Sequence, residues 1–264
     1  KSIADPANLA KIPADQPVLV YCYTGHTGQV AATILGSLGY DVSNMKFGMM
    51  GWTLDDDVLA QPRFDPADVS GYPIEAGAME MSAASAGDTY EAVRVAAEDY
   101  LTSDASPVIS ADALFENLND GDEENDPFLI SVRAPDAYAA GHIPGAINIP
   151  WKTIVEPESL AQIPTDQPVV VYCYTGHTGQ LATTALNLLG YDATNLKYGM
   201  MGWNDDPDIL MTTAYDAETA PDYMVETEPN EATETYAPPE QAAEDVRAAI
   251  DAWIKGEDVK QIIP

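Results

Sequence analysis

Val169-Val170-Val171-Tyr172-Cys173-Tyr174-Thr175-Gly176-His177-Thr178-Gly179-Gln180 decides the fold of this chain, and a near copy occupies residues 18–29. That copy reads Val18-Leu19-Val20-Tyr21-Cys22-Tyr23-Thr24-Gly25-His26-Thr27-Gly28-Gln29, and the two hold the only cysteines among 264 residues. A β-branched apolar run, a cysteine, a glycine-bearing loop and an amphipathic stretch (residues 30–38 and 181–189) read in order as strand, loop and helix. That order sets a thiol at a helix N-terminus, where unpaired N–H groups and the dipole stabilise a thiolate or an anion bound to it. The competing reading is a buried structural cysteine, since an unreacted Cys packs as a small hydrophobe. Two identical loops, each centred on a lone cysteine, favour the reactive thiol.

The similarity extends well beyond the loop, at an offset of 151 residues. Lys1-Ser2-Ile3-Ala4-Asp5-Pro6 answers to Lys152-Thr153-Ile154-Val155-Glu156-Pro157, and Gly48-Met49-Met50-Gly51-Trp52 to Gly199-Met200-Met201-Gly202-Trp203. Between residues 13–52 and 164–203 roughly three positions in four are identical, as duplicated units require. After a two-residue slip, Val93-Arg94-Val95-Ala96-Ala97 answers to Val246-Arg247-Ala248-Ala249-Ile250. Residues 110–151 have no counterpart before Lys1, so the chain reads as one complete unit, one half unit and a trailing stub at residues 259–263. Two full repeats would need about 40 residues more than are present. The missing half is expected on an upstream segment or on a neighbouring subunit.

Forty-three acidic residues against eleven basic ones give a net charge of −32. That balance excludes nucleic acid and anionic membrane surfaces as partners. It suits a secreted, extracellular or periplasmic protein whose acidic surface resists aggregation. No run of about 18 apolar residues is present, so no membrane insertion is expected. The two cysteines sit in matching loops of different units and are expected as free thiols. Three histidines in three different loops offer no ligand cluster, so neither a metal nor any other cofactor is expected. The acidic stretch at residues 120–126 lacks the ligand order of a calcium loop and reads as a solvated turn.

Alternating β-rich and helical stretches indicate an α/β fold with a mostly parallel sheet flanked by helices. In the complete unit, strands are predicted near residues 107–109, 128–132, 146–149, 169–172 and 194–198. Helices are predicted at 111–118, 135–140, 157–163 and 180–189, with a last one from Met200. Residues 76–88 and 216–241 are small, polar or acidic and read as extended linkers. Each leads into an amphipathic helix, at 90–101 and 241–254. Such a helix is marginal alone and is expected to pack on a unit or on the next subunit.

With these motifs in place the chain resembles the rhodanese (sulfurtransferase) family, in its tandem form. The residues that carry the resemblance are Leu129-Ile130-Ser131-Val132-Arg133, Gly141-His142-Ile143-Pro144-Gly145-Ala146, the strand–Cys–loop–helix unit and Gly199-Met200-Met201-Gly202-Trp203. The resemblance divides the chain into four parts. Residues 1–75 form the C-terminal half of a first rhodanese-like domain, and 76–104 a linker with a helix. Residues 105–215 form a complete domain, and 216–264 an acidic linker, a helix and a strand stub. It implies persulfide chemistry with Cys173 as nucleophile and Cys22 as its match in the partial unit. Tyr174, Thr175, Gly176, His177, Thr178 and Gly179 would then surround the transferred sulfur, with Tyr23, Thr24, Gly25, His26, Thr27 and Gly28 as counterparts. Arg133 and His142 are expected as structural supports, and Trp52, Trp203 and the methionine pairs as core beneath the loop.

Two departures qualify the resemblance. Family loops often hold Arg or Lys to attract thiosulfate, whereas here the only candidate cation is His26 or His177. A polysulfide, a low-molecular-weight persulfide or a protein persulfide thus stands level with thiosulfate as donor. The other departure is Ser131, where the family usually has Asp. A Cys-x5-Arg phosphate loop needs Arg at the sixth residue after Cys to grip phosphoryl oxygens. Gly28 and Gly179 stand there, which argues against phosphatase and arsenate-reductase readings. The functional expectation is a sulfurtransferase. Its alternative is a structural subunit of an extracellular assembly, a homo-oligomer or polymer in which another subunit completes the first half domain.

Overall fold

Short apolar runs become strands, and the stretches between them helices, in a computed structural model that describes residues 2–59, 61–73, 90–103, 106–218, 224, 243, 245–256 and 261–262. The strands are β1 (Val18–Val20), β2 (Val42–Met45), β3 (Val108–Ile109), β4 (Phe128–Ser131), β5 (Ile147–Asn148), β6 (Val169–Tyr172), β7 (Ala193–Leu196) and β8 (Gln261–Ile262). The helices up to residue 102 are α1 (Pro6–Leu9), α2 (His26–Ser37), α3 (Gly48–Trp52), α4 (Asp56–Leu59) and α5 (Tyr90–Thr102). There follow α6 (Ala111–Asn117), α7 (Pro135–Ala140), α8 (Pro157–Leu160), α9 (His177–Leu188), α10 (Met200–Trp203), α11 (Pro207–Leu210) and α12 (Val246–Lys255). The predicted linker at 76–88 and most of that at 216–241 lie outside the described residues. No helix among the described residues is long and apolar enough to cross a membrane.

Contacts divide the chain into two units. The second comprises Asp65–Ser85 and Ala105–Ala214. Its five-stranded sheet runs β3-β7-β6-β4-β5 with every neighbouring pair parallel. β6 lies in the middle and all four of its residues are buried, which is why it reads as an unbroken apolar run rather than an alternating one. Ser110 starts α6 by accepting a hydrogen bond from the Ala113 N–H at 3.2 Å, a side-chain cap that supplies one orphan donor. Helix α9 packs on β6 and β7. Ile130, Val171, Leu181, Leu186 and Leu196 are fully buried in this core, each side chain contributing about 1.5–3 kcal/mol of burial. Tyr72 stacks on Phe115 with ring centroids 4.3 Å apart, and the Trp203 indole donates to the Pro73 carbonyl at 2.8 Å. Those contacts join residues 65–73 to the second unit, where the sequence pattern places the boundary at residue 75.

The first unit comprises Lys1–Phe64, Ala86–Asp104 and Tyr215–Pro264. Its described sheet has three parallel strands in the order β1-β2-β8. Val18 pairs with Val42 as Val169 pairs with Ala193, so the repeat is reproduced strand for strand. β8 lies on β2 with Asn44 opposite Gln261 and Met45 opposite Ile262. This is the place β3 takes on β7, where Val108 faces Asn195 and Ile109 faces Leu196. The trailing stub of the sequence thus serves as an edge strand of the first unit. Helices α5 and α12 both pack on α2, and Val93, Ala97, Ile250, Ile254, Ile34, Leu35 and Leu38 are all buried in that unit's core. Asp245 caps α12 by accepting from the Ala248 N–H at 2.7 Å.

Candidate active site

In the second unit β6 ends at Tyr172 and the chain turns through Cys173 into α9. Gly176 takes a left-handed conformation (φ 85°, ψ −7°) and starts the helix without any side-chain cap, a backbone state that costs glycine nothing. The Gly176 N–H then donates to Cys173 Sγ at 3.1 Å. No side chain caps the first turn, and the positive end of the helix dipole favours an anion carried on the sulfur. The first unit repeats the geometry: Gly25 stands at φ 87° and donates to Cys22 Sγ at 3.1 Å. Both cysteines are free thiols.

A buried frame fixes the loop. The Thr175 hydroxyl and His177 Nδ1 lie 3.0 Å apart, as do those of Thr24 and His26. Both imidazoles are buried, so the only candidate cation of each loop is packed beneath it rather than presented to solvent. Asn195, on β7, donates to the Gly176 carbonyl at 3.0 Å, and Asn44, on β2, donates to Gly25 at the same distance. The Met200 N–H closes onto the Cys173 carbonyl at 2.9 Å, and Met49 onto Cys22 at 2.8 Å. A Cβ at Gly179 would collide with Asn195 Oδ1 and lie 3.2 Å from the Cys173 nitrogen. Close packing therefore excludes a side chain at the position where a phosphate loop carries its arginine. Thr178 is half-buried and Thr27 exposed at the loop mouth.

Arg133 and His142 stand behind the sheet end of this loop. Arg133 is fully buried; it donates to the Gly141 carbonyl at 2.5 Å, to Ile209 at 3.1 Å and to the Ser131 hydroxyl at 3.4 Å. Ser131 thus meets the guanidinium, but as a neutral and distant partner. The guanidinium carbon lies 5.7 Å from the Tyr172 ring centre and 5.8 Å from that of Tyr174, within reach of a cation–π attraction. Tyr172 is buried and accepts from the Ile143 N–H at 3.1 Å; burial pushes its phenol up to about 12. Tyr174 accepts from the Ala134 N–H at 3.1 Å. His142 stacks on Tyr138 and its Nδ1 lies 2.9 Å from the Tyr138 carbonyl.

The two loops differ in their cover. Cys173 is 1% exposed while Cys22 is half-buried. Val170 and Tyr172 are buried, whereas their counterparts Leu19 and Tyr21 are 49% and 59% exposed. Sequence reasoning missed Asn44 and Asn195. Their signal was an identical asparagine kept inside two otherwise substituted strands, Val42-Ser43-Asn44-Met45 and Ala193-Thr194-Asn195-Leu196.

Fold and loop together define a class: parallel α/β units that end a central strand on a cysteine and start a helix over its sulfur. A family model for the rhodanese-like domain matches residues 1–55 and 110–206, more than half of the chain. The chain belongs to that family. It is 33% identical over 96 residues to a sulfurtransferase of Allochromatium vinosum, covering 36% of this chain and 85% of that protein. It is 32% identical over 76 residues to the thiosulfate sulfurtransferase GlpE of Tolumonas auensis, covering 28% and 70%. A 38% identical match over 86 residues, 31% of this chain, spans 22% of the probable adenylyltransferase/sulfurtransferase MoeZ of Mycobacterium tuberculosis. Among solved structures, a rhodanese-like domain protein from Staphylococcus aureus is 28% identical, covers 38% of this chain and 94% of its own, and has a TM-score of 0.35.

Proposed function

We propose that the chain is a persulfide-forming sulfurtransferase with Cys173 as its working nucleophile. The observation that carries this reading is the Gly176 N–H donating to Cys173 Sγ at 3.1 Å over the uncapped start of a 12-residue helix. A helix N-terminus stabilises the thiolate, the form that attacks sulfur. The Cys173 thiolate attacks the outer sulfur of a donor R–S–S⁻. A bond forms between Sγ and that sulfur, the donor's S–S bond breaks, and R–S⁻ leaves with the electron pair. The product, Cys–S–S⁻, carries its negative charge on the outer sulfur, toward the loop N–H donors. An acceptor nucleophile then takes the outer sulfur, and Cys173 departs as thiolate. No outside oxidant or reductant enters the cycle.

Donor preference follows from charge. Neither loop holds Arg or Lys, and the chain carries −32 overall. A dianion such as thiosulfate meets repulsion over about 8 Å at physiological salt, and the nearby Arg133 is buried and engaged with backbone carbonyls rather than presented to a ligand. Low-molecular-weight persulfides and polysulfides, with less charge per sulfur delivered, are the donors this site favours. Cyanolysis with thiosulfate, polysulfide and cysteine persulfide, run on wild type, Cys173→Ser and Cys22→Ser, tests the reading. Thiocyanate release is expected to vanish in Cys173→Ser and to persist in Cys22→Ser. Wild type is expected to gain the mass of one sulfur atom at Cys173 before cyanide is added. Absence of both signals with every donor would overturn the proposal.

A further inference from the structure

We propose that Lys152 and Lys197 bind the carboxylate of a small persulfide beside the Cys173 loop, and so set which donor the second unit prefers. The proposal rests on the persulfide reading above and deepens it: the donor class becomes low-molecular-weight persulfides that carry a carboxylate. The sequence of the second unit holds three basic residues, Arg133, Lys152 and Lys197. All three follow the C-terminal ends of strands: Arg133 two residues after β4, Lys152 four after β5, and Lys197 directly after β7. Cys173 directly follows β6, and neighbouring strands of this sheet are parallel, so the thiol and the cations share one end of it. The opposite end carries acids, with Asp126, Asp166 and Asp192 just ahead of β4, β6 and β7. Asp136 stands at the cysteine end too, so the lysines are two local points of positive charge, not a positive face.

Backbone bonds carry both lysines to the loop. On one side the Val132 N–H donates to the Tyr172 carbonyl at 2.9 Å, and the Trp151 N–H to the Val132 carbonyl at 3.1 Å, which ties the residue before Lys152 to the strand of Cys173. On the other side the turn that Lys197 opens runs against the loop. There the Met200 N–H meets the Cys173 carbonyl and the Met201 N–H the Tyr174 carbonyl, both at 2.9 Å. A Cβ on Gly199 would stand 2.9 Å from the Gly176 nitrogen, the donor to the Cys173 sulfur. Tyr198, between Lys197 and Gly199, holds φ 64°, and Phe47 repeats that state at φ 62°. A bulky residue takes the left-handed region at a cost and keeps it where its surroundings demand that turn. Each ammonium lies by a ring: Lys152 Nζ is 5.3 Å from the Trp151 centre, and Lys197 Nζ 5.1 Å from that of Tyr198, within cation–π reach. Arg133 is fully buried, whereas Lys152 is exposed and Lys197 half-buried. Lysine recurs at both positions of the repeat, as Lys1 and Lys46, so these two places hold four of the chain's eleven basic residues. An ammonium on a flexible stem suits a carboxylate at the water's edge. Neither lysine lies in the loop itself, so the charge they hold is one carried away from the reacting sulfur. Thiosulfate bears its charge on the sulfonate bonded to the transferred sulfur, while the carboxylate of cysteine persulfide sits several bonds away.

The test compares the persulfides of 3-mercaptopropionate and 2-mercaptoethanol, which differ at the far end by a carboxylate against a hydroxyl. In wild type the carboxylate-bearing donor is expected to give the higher kcat/KM. Lys152→Met/Lys197→Met is expected to lower the ratio of the two kcat/KM values at least about fivefold, through KM, as the loss of two exposed ion pairs does. Lys152→Arg/Lys197→Arg is expected to restore it. A second measurement needs no sulfur transfer. In the Cys22→Ser/Cys173→Ser chain, 3-(methyldisulfanyl)propionate is expected to bind saturably in an NMR titration and its neutral amide is not. That binding is expected to go when both lysines are also replaced by methionine. A ratio equal in wild type and the methionine variant, or a titration indifferent to the lysines, would overturn the proposal. Sulfur transfer with no carboxylate preference sinks the lysine site alone. Lysine-dependent carboxylate binding without transfer from any donor leaves that site standing and sinks the chemistry at Cys173.

Discussion

The Asn195 side chain donates to the Gly176 carbonyl, and that bond holds the residue whose own N–H faces the cysteine sulfur. Asn195→Ala removes one of two donors from the buried Gly176 carbonyl, which keeps the Gln180 N–H, a loss of about 0.5–1.5 kcal/mol. Urea denaturation is expected to show that loss, and cyanolysis a lower turnover with an unchanged persulfide mass. Tyr172 gives a pH prediction. Burial, opposed in part by Arg133, raises its phenol to about 12, against 10.0 for the unperturbed group. Between those values the folded state keeps a proton that the unfolded chain has lost, so stability falls as pH rises through that window. By the upper end of the window the loss amounts to roughly 3 kcal/mol. Thermal melts from pH 9 to 12 are expected to show a steeper decline in wild type than in Tyr172→Phe, which has no phenol to ionise at that position. The cysteines, the tyrosines and the loop glycines were legible in the sequence because each occurs twice in a fixed order. Asn44 and Asn195 were not, because their role exists only once β2 and β7 lie beneath the loops.

The strand–loop–helix element was legible in outline, but the sequence pattern starts its helix at Gln180, whereas the helix begins at His177. Helix starts are read from Ser, Thr, Asp or Asn caps, and α9 begins on Gly176 with none. The same omission that hid the boundary leaves the start of α9 without a side-chain cap beside the sulfur. The docking of β8 on β2 was equally hidden. Residues 44 and 261 pair across more than 200 positions, and no local pattern encodes a partner that distant. One substitution between the repeats has a clear packing reason. Gly36 lies against the Trp253 indole, and a Cβ there would collide with it, while the matching Asn187 donates to the Thr183 and Ala193 carbonyls. Gly36→Ala is expected to displace α12 at a cost of about 1–3 kcal/mol. A red shift of Trp253 emission, followed in a background where the other tryptophans are phenylalanine, would report it.

At the scale of the whole molecule, charge is the dominant property. A net −32 on 264 residues is a self-repulsion that compaction must overcome. Raising salt from 0.1 to 1 M shortens the screening length from about 10 to about 3 Å. The melting temperature is expected to rise by roughly 4 °C, the shift that about 1–2 kcal/mol produces in a chain this long. Turnover of thiosulfate is expected to climb over the same range while that of a neutral trisulfide stays level; equal salt responses would contradict the charge argument. The seat of β8 also has a consequence in time. As these residues leave a ribosome, the segments of the second unit have all emerged before α12 and β8 exist. The first unit is thus the later of the two to mature: its helix α2 can meet α5 early but lacks its second cover, α12, until residues 246–255 have been made. Nascent chains usually fold from the N-terminus onward. Here the order is reversed, and any chaperone that attends this protein has residues 1–64 to guard while the rest of the fold is already closing.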